Sequence, residues 1–146
     1  MVVCSKPYVA SARGRAYPND MSQTEDPHTL TALIVEDDML MADKAEAMLI
    51  ELGYQRVLRA DDINGAIKTI DGQSFDVVLL DASLRGAPSY KVAAHLRMTG
   101  IPFIVATGHD FKRLPNEFAF GILLQKPYGA SDLVRALQAA LSHTAG

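Results

Sequence analysis

The sequence predicts a doubly wound α/β domain built on a five-stranded parallel sheet. Three observations point to it. Short, β-rich apolar runs alternate with segments of helical periodicity through five successive units. The central runs are apolar on both faces, as strands covered by helices on either side must be. Each run is separated from the next by enough residues for a crossover helix, which in a parallel sheet is right-handed and returns the chain to the same edge.

The first strand is LTALIV (30–35), and MLMADKAEAMLIEL (39–52) follows with apolar residues at Met41, Ala45, Met48, Leu49 and Leu52, a helical spacing. The second unit is QRVLRA and then DDINGAIKTID, with Ile63, Ala66, Ile67 and Ile70 on one face. The third is FDVVLL followed by SYKVAAHLR, in which Tyr90 and Leu96 read as core or half-buried packing. The fourth strand is IPFIVAT, but GHDFKRLPNEFAF (108–120) contains Pro115 and little periodicity, which predicts a short or frayed helix. The fifth is GILLQ and then SDLVRALQAAL, with Leu133, Val134, Leu137 and Leu141 in register; Ser131 stands where an N-cap is expected and Asp132 in the first turn.

A chain of 146 residues fits one domain. The division expected is a disordered extension over 1–28, rich in scattered Ser, Pro, Arg and Gly, and a folded domain over 29–143. The formal net charge is -3, without the basic excess that binding to nucleic acid needs, so no nucleic-acid partner is expected. The chain has no apolar run approaching the roughly 18 residues that span a bilayer, so no membrane partner is expected either. Cys4, the single cysteine, cannot form an internal disulfide, and with no secretory signal the expected location is cytoplasmic.

In a parallel sheet all strands point one way, so the residues just past their C-terminal ends gather at one edge, where open α/β sheets bind ligands. Those residues are Glu36, Asp37 and Asp38 after the first strand, Asp81 after the third, Thr107 and Gly108 after the fourth, and Lys126 and Pro127 after the fifth. Singly, each has an ordinary structural reading as a helix cap, a strand end or a turn. Together they crowd carboxylates into one polar pocket, where they repel unless a cation or a proton intervenes. A hard divalent cation with oxygen ligands, such as Mg²⁺, satisfies them.

The acidic pair in LIVEDD, the acid of DVVLLD, the Thr of PFIVATG and the Lys of LLQKP stand in an order that resembles the receiver domains of two-component response regulators, over about Thr29 to Ser142. The resemblance implies the flavodoxin-like (βα)5 receiver fold. It implies Asp81 as phosphoacceptor; Mg²⁺ held by Glu36, Asp37, Asp81 and the backbone carbonyl of Ser83; Thr107, Gly108 and Lys126 as phosphoryl-binding residues; and a cis peptide before Pro127. Ser83 and His109 correspond to positions that tune the lifetime of the acyl phosphate. The chain departs from the family at Leu123, where receivers carry a switch Tyr or Phe. It resembles there a subgroup, largely of alphaproteobacterial single-domain receivers, with a Phe-Ala-Thr-Gly signature; Val105 takes the place of that Phe. The loop 108–120 is expected to replace the aromatic relay.

The function expected from the resemblance is a stand-alone receiver in a phosphorelay, not an enzyme. A histidine kinase or histidine phosphotransfer protein donates the phosphoryl group, and an unidentified downstream protein is contacted, or the domain serves as a phosphate sink. Kinase docking is expected around Met39, Leu40 and Ala42, and the subgroup implies general stress response networks. Two other readings stand beside it: a phosphorylation-independent pseudo-receiver, and an aspartyl-phosphate hydrolase, against which Ser83 counts because such enzymes want a second Asp there.

Overall fold

The computed structural model describes residues 29–108 and 113–145. The extension expected over 1–28, His28, and His109 with its neighbours to residue 112 lie outside the described residues, as does the side chain of His143.

Five strands, β1 (Thr31–Val35), β2 (Arg56–Ala60), β3 (Val77–Asp81), β4 (Phe103–Thr107) and β5 (Ile122–Gln125), form one parallel sheet in the order β2-β1-β3-β4-β5. Four α-helices, α1 (Met39–Glu51), α2 (Ile63–Gly72), α3 (Tyr90–Thr99) and α4 (Ala130–Ala145), connect or follow them. This is the doubly wound α/β fold that the alternation of strand and helix periods predicts.

Every residue of β1, β3 and β4 is buried, whereas the edge strand β2 exposes Arg56 and Arg59. The difference follows from position: central strands are covered on both faces, and charge on an edge strand discourages pairing with another chain. Successive side chains alternate between two cores. Ala32, Ile34, Val77, Leu79, Ile104 and Leu124 pack against α1 and α4 through Leu49, Leu133 and Leu137. Leu33, Val35, Val78, Leu80 and Val105 pack against α2 and α3 through Ile70, Val92 and Leu96.

The fourth crossover is the irregular one. In place of a regular helix it has a 3-10 helix over Asn116–Phe120, whose Phe118 is buried in the second core while Phe120 is exposed beneath the Arg97 guanidinium, 3.6 Å from its ring centre. Pro115 precedes this short segment, and 3-10 helices rarely run longer.

Two local expectations need correction. Tyr90 is 39% exposed, because it opens α3 on the solvent side, whereas Leu96 is fully buried. Ser131 is not the cap of α4, which begins at Ala130. Asp132, in the first turn, instead reaches back to accept the N–H of Gly129, the residue just before the helix, at 2.9 Å.

Candidate functional site

The strand order reverses between β1 and β3: β2 lies on one side of this pair, β4 and β5 on the other. Their C-terminal ends therefore flank the crevice where open α/β sheets bind ligands. Ladder hydrogen bonds run one residue past the strands, from Glu36 N to Ala60 O at 3.0 Å, Ala82 N to Ala106 O at 3.0 Å and Lys126 N to Thr107 O at 2.8 Å. The pleat thus continues to Glu36, Asp81 and Lys126, each two residues beyond an inward side chain of the first core: Ile34, Leu79 and Leu124. A period of two places these three groups on one face.

The residues converge as that geometry requires. The Lys126 Nζ donates to Asp81 Oδ2 at 2.9 Å and lies 3.7 Å from Glu36 Oε1. The Ser83 N–H donates to Asp81 Oδ1 at 3.1 Å, so both oxygens of the carboxylate are held. Asp81 and Glu36 have side chains only 9% and 10% exposed. One oxygen each from Glu36, Asp37 and Asp81 lies within 4.8 Å of the others. Asp38 is separate from this group: it caps α1, accepting the Leu40 and Met41 N–H groups at 3.0 and 3.2 Å.

The electrostatics reflect crowded acids. Burial raises the Glu36 carboxyl from 4.5 to about 7, helped by the neighbouring Asp81 carboxylate, to which a protonated Glu36 donates; the Asp38 N–H and Lys126 work in the other direction. Burial acts to lower the Lys126 ammonium, but the hydrogen bond and charge of Asp81, and then Glu36, outweigh it and hold the group above its ordinary value. Tyr128, packed against the first core, is pushed up to about 12 by burial and by the charges of Glu36 and Asp81, so its phenol keeps its proton.

The described carboxylates outnumber the one ammonium that touches them, and the donor set is all oxygen. That composition fits a hard divalent cation, which takes one or two carboxylates and retains waters. Thr107 is buried at the end of β4, and Gly108 is exposed beside it. The Lys126–Pro127 peptide is cis. Leu123 lies in β5 against the second core, in register with Val105.

The family model of the response regulator receiver domain matches residues 32–138. The chain belongs to that family. Among curated relatives, the receiver is 34% identical over 117 residues to the positive alginate biosynthesis regulatory protein of Pseudomonas aeruginosa, covering 76% of this chain and 47% of that protein. The chain spans about half the length of the curated relatives it matches. Among solved structures, SdrG from Sphingomonas melonis Fr1 is 36% identical with a TM-score of 0.68, over 80% of this chain and 99% of that chain. The receiver domain of a sensor histidine kinase from Pseudomonas aeruginosa PAO1, described with a magnesium ion coordinated in its active-site cleft, is 26% identical with a TM-score of 0.67, over 79% and 99%. Receivers of this family are signalling domains of two-component systems. No described helix of this one is long and apolar enough to cross a membrane.

Two features of the receiver's rim escape a reading by strand ends. Residues Ser83–Leu84 and Ala87–Pro88 pair as a small antiparallel hairpin whose two-residue turn, Arg85-Gly86, has φ of 51° and 81°. Positive φ at both positions is the type I′ hairpin turn. Arg85 N donates to Asp37 Oδ2 at 2.8 Å, and its guanidinium reaches Asp61 Oδ2 at 3.1 Å, tying the hairpin to the ends of β1 and β2. A Gly between short flanks is the only trace of this turn in the sequence. The second feature is Ser89, whose Oγ donates to the Asp81 carbonyl at 2.5 Å.

Proposed function

We propose that this receiver stands alone and accepts a phosphoryl group onto Asp81 from a histidine kinase or a histidine phosphotransfer protein, then acts by contact with a downstream protein or as a phosphate sink. The observation that carries the reading is the Asp81 carboxylate: 9% exposed at the end of a central strand, with an ammonium at 2.9 Å and two further acids beside it.

Glu36, Asp37 and Asp81 would hold Mg²⁺ together with the Ser83 carbonyl, and the ion, when bound, would draw charge from the phosphoryl oxygens. The chain's own residues account for the rest. An Asp81 oxygen forms the new P–O bond as the P–N bond of a phosphohistidine breaks, and the electron pair leaves with the imidazole, giving an acyl phosphate. Rigid β3 holds the nucleophile at a fixed height, and Ser83 N–H fixes the rotation of the carboxylate. Lys126, paired with Asp81 before the reaction, becomes the counter-charge to the transferred group. Thr107 and the Gly108 amide would hydrogen-bond the phosphoryl oxygens. Ser83 and His109, which correspond to the lifetime-tuning positions of the family, would set the lifetime of the product. With Leu123 aliphatic, this receiver has no aromatic ring at the family's switch position.

The test is incubation with Mg²⁺ and acetyl phosphate, read by intact mass and phosphate-affinity gel, beside Asp81→Ala. One phosphoryl group on the wild type alone is expected. If neither acetyl phosphate, beryllofluoride nor a histidine kinase engages the wild type, the domain is a phosphorylation-independent binding module, and a label surviving in Asp81→Ala would overturn the choice of nucleophile.

A further inference from the structure

The carboxylate of Asp81 is aimed by Ser83 N–H and Lys126, but its main chain is held by a third contact. Ser89 Oγ donates to the Asp81 carbonyl at 2.5 Å, and Ser89 N donates to the Ala82 carbonyl at 2.9 Å. Ser89 is fully buried. These two bonds close the base of the loop that carries the Arg85-Gly86 hairpin, pinning the chain where it leaves the sheet.

The position of Ser89 makes the contact informative. It is the N-cap residue of α3, where a serine hydroxyl ordinarily accepts an N–H from the first helical turn. Here the side chain does not cap; backbone angles of φ -93° and ψ 32° turn the hydroxyl toward β3. The Ser89 carbonyl meanwhile accepts Val92 N–H at 3.0 Å and Ala93 N–H at 3.3 Å. One buried residue therefore joins the last residue of the central strand to the first turn of α3, and its hydroxyl serves the strand in place of the helix.

We propose that Ser89 is a positioning residue for phosphoryl transfer: by holding the Asp81 carbonyl it keeps the carboxylate in line for attack and couples the start of α3 to the reacting centre. The inference rests on Asp81 as the phosphoacceptor. Ser89 touches neither donor nor metal ligand side chain, so its effect is on orientation. With Mg²⁺ saturating, Ser89→Ala should lower the maximal rate of labelling by acetyl phosphate roughly tenfold while leaving the donor concentration for half-saturation little changed, since sub-ångström misplacement of a nucleophile acts on the chemical step.

Three further variants separate positioning from stability. Ser89→Thr keeps the hydroxyl while crowding the site, and should label faster than Ser89→Ala whatever its urea midpoint. Ser89→Cys keeps only a weak donor and should fall between wild type and Ser89→Ala; if Ser89→Ala does not fold, a Cys variant slower than wild type supports the role. Asp62→Ala, which removes the cap of α2 from Gly65 N–H at 2.7 Å, should lose stability without losing rate. A Ser89→Ala or Ser89→Cys protein that labels at the wild-type maximal rate overturns the inference. A wild type that takes up neither acetyl phosphate nor beryllofluoride and accepts nothing from a histidine kinase overturns the reading of Asp81 itself, a distinguishable failure.

Discussion

Replacing Lys126 by Met keeps the length of the side chain and removes its charge, which isolates what the ammonium contributes to the acidic pocket. Its Nζ is 2.9 Å from Asp81 Oδ2 and 3.7 Å from Glu36 Oε1, and the acids are about nine-tenths buried. At an effective dielectric of ~20 those separations correspond to gross attractions of about 6 and about 4 kcal/mol. The net value is smaller. Lys126 is itself desolvated in the folded state, and in the variant Glu36 can take up a proton, which limits the repulsion left behind. A loss of about 2 kcal/mol is expected in metal-free protein, below the ~3–5 kcal/mol of a fully buried broken pair. Urea unfolding in EDTA measures it, and excess Mg²⁺ should return part of the loss by binding the folded state alone. Labelling by acetyl phosphate should fall about 10²-fold, the size of one lost charge-stabilising donor. A variant as stable as wild type in EDTA would refute the pairing, and one that labels normally would refute the role of Lys126 as counter-charge.

The Glu36 carboxyl at about 7, against 4.5 when free, means that the folded chain retains a proton the unfolded chain gives up. The stability from this group is full below 4.5 and is lost as pH rises through 7. The urea midpoint in EDTA should therefore fall over that range and the fall should vanish in Glu36→Gln; a slope that persists in the variant contradicts the assignment. Asp38→Ala should cost about 1 kcal/mol through the lost α1 cap and leave labelling intact, whereas Asp37→Ala should weaken Mg²⁺ binding by calorimetry with little change in stability. The reverse pattern would exchange their roles. Gly121→Ala would set a Cβ 2.5 Å from the Phe103 ring and 2.9 Å from its carbonyl oxygen, so a loss of about 1–3 kcal/mol is expected, partly recovered by adding Phe103→Leu. An unaltered midpoint would show that the strand start at Ile122 is free to shift.

The sequence by itself determined the fold class and the face on which chemistry could occur. Runs such as VVLL and FIVAT are apolar at every position, so they had to be covered on both sides, and the polar residue ending each run had to lie at the sheet edge. Glu36, Asp81 and Lys126 were legible for that reason: the period of two that buries Ile34, Leu79 and Leu124 also aims the next-but-one residue. Tertiary structure alone decided what lay off that period. Position at the strand end left all three acids of EDD as candidates and the family resemblance chose Glu36 and Asp37; that Asp38 caps α1 depended on which N–H groups the start of that helix presented. Tyr90 and Ser131 looked like packing and cap by local pattern, but exposure and capping are set by the angle at which each helix meets the sheet. The Arg85-Gly86 turn and the Ser89 hydroxyl on Asp81 join groups brought together only after the chain leaves β3, folds back as a hairpin and enters α3. Such contacts obey distance in space, which a periodicity along the chain does not encode.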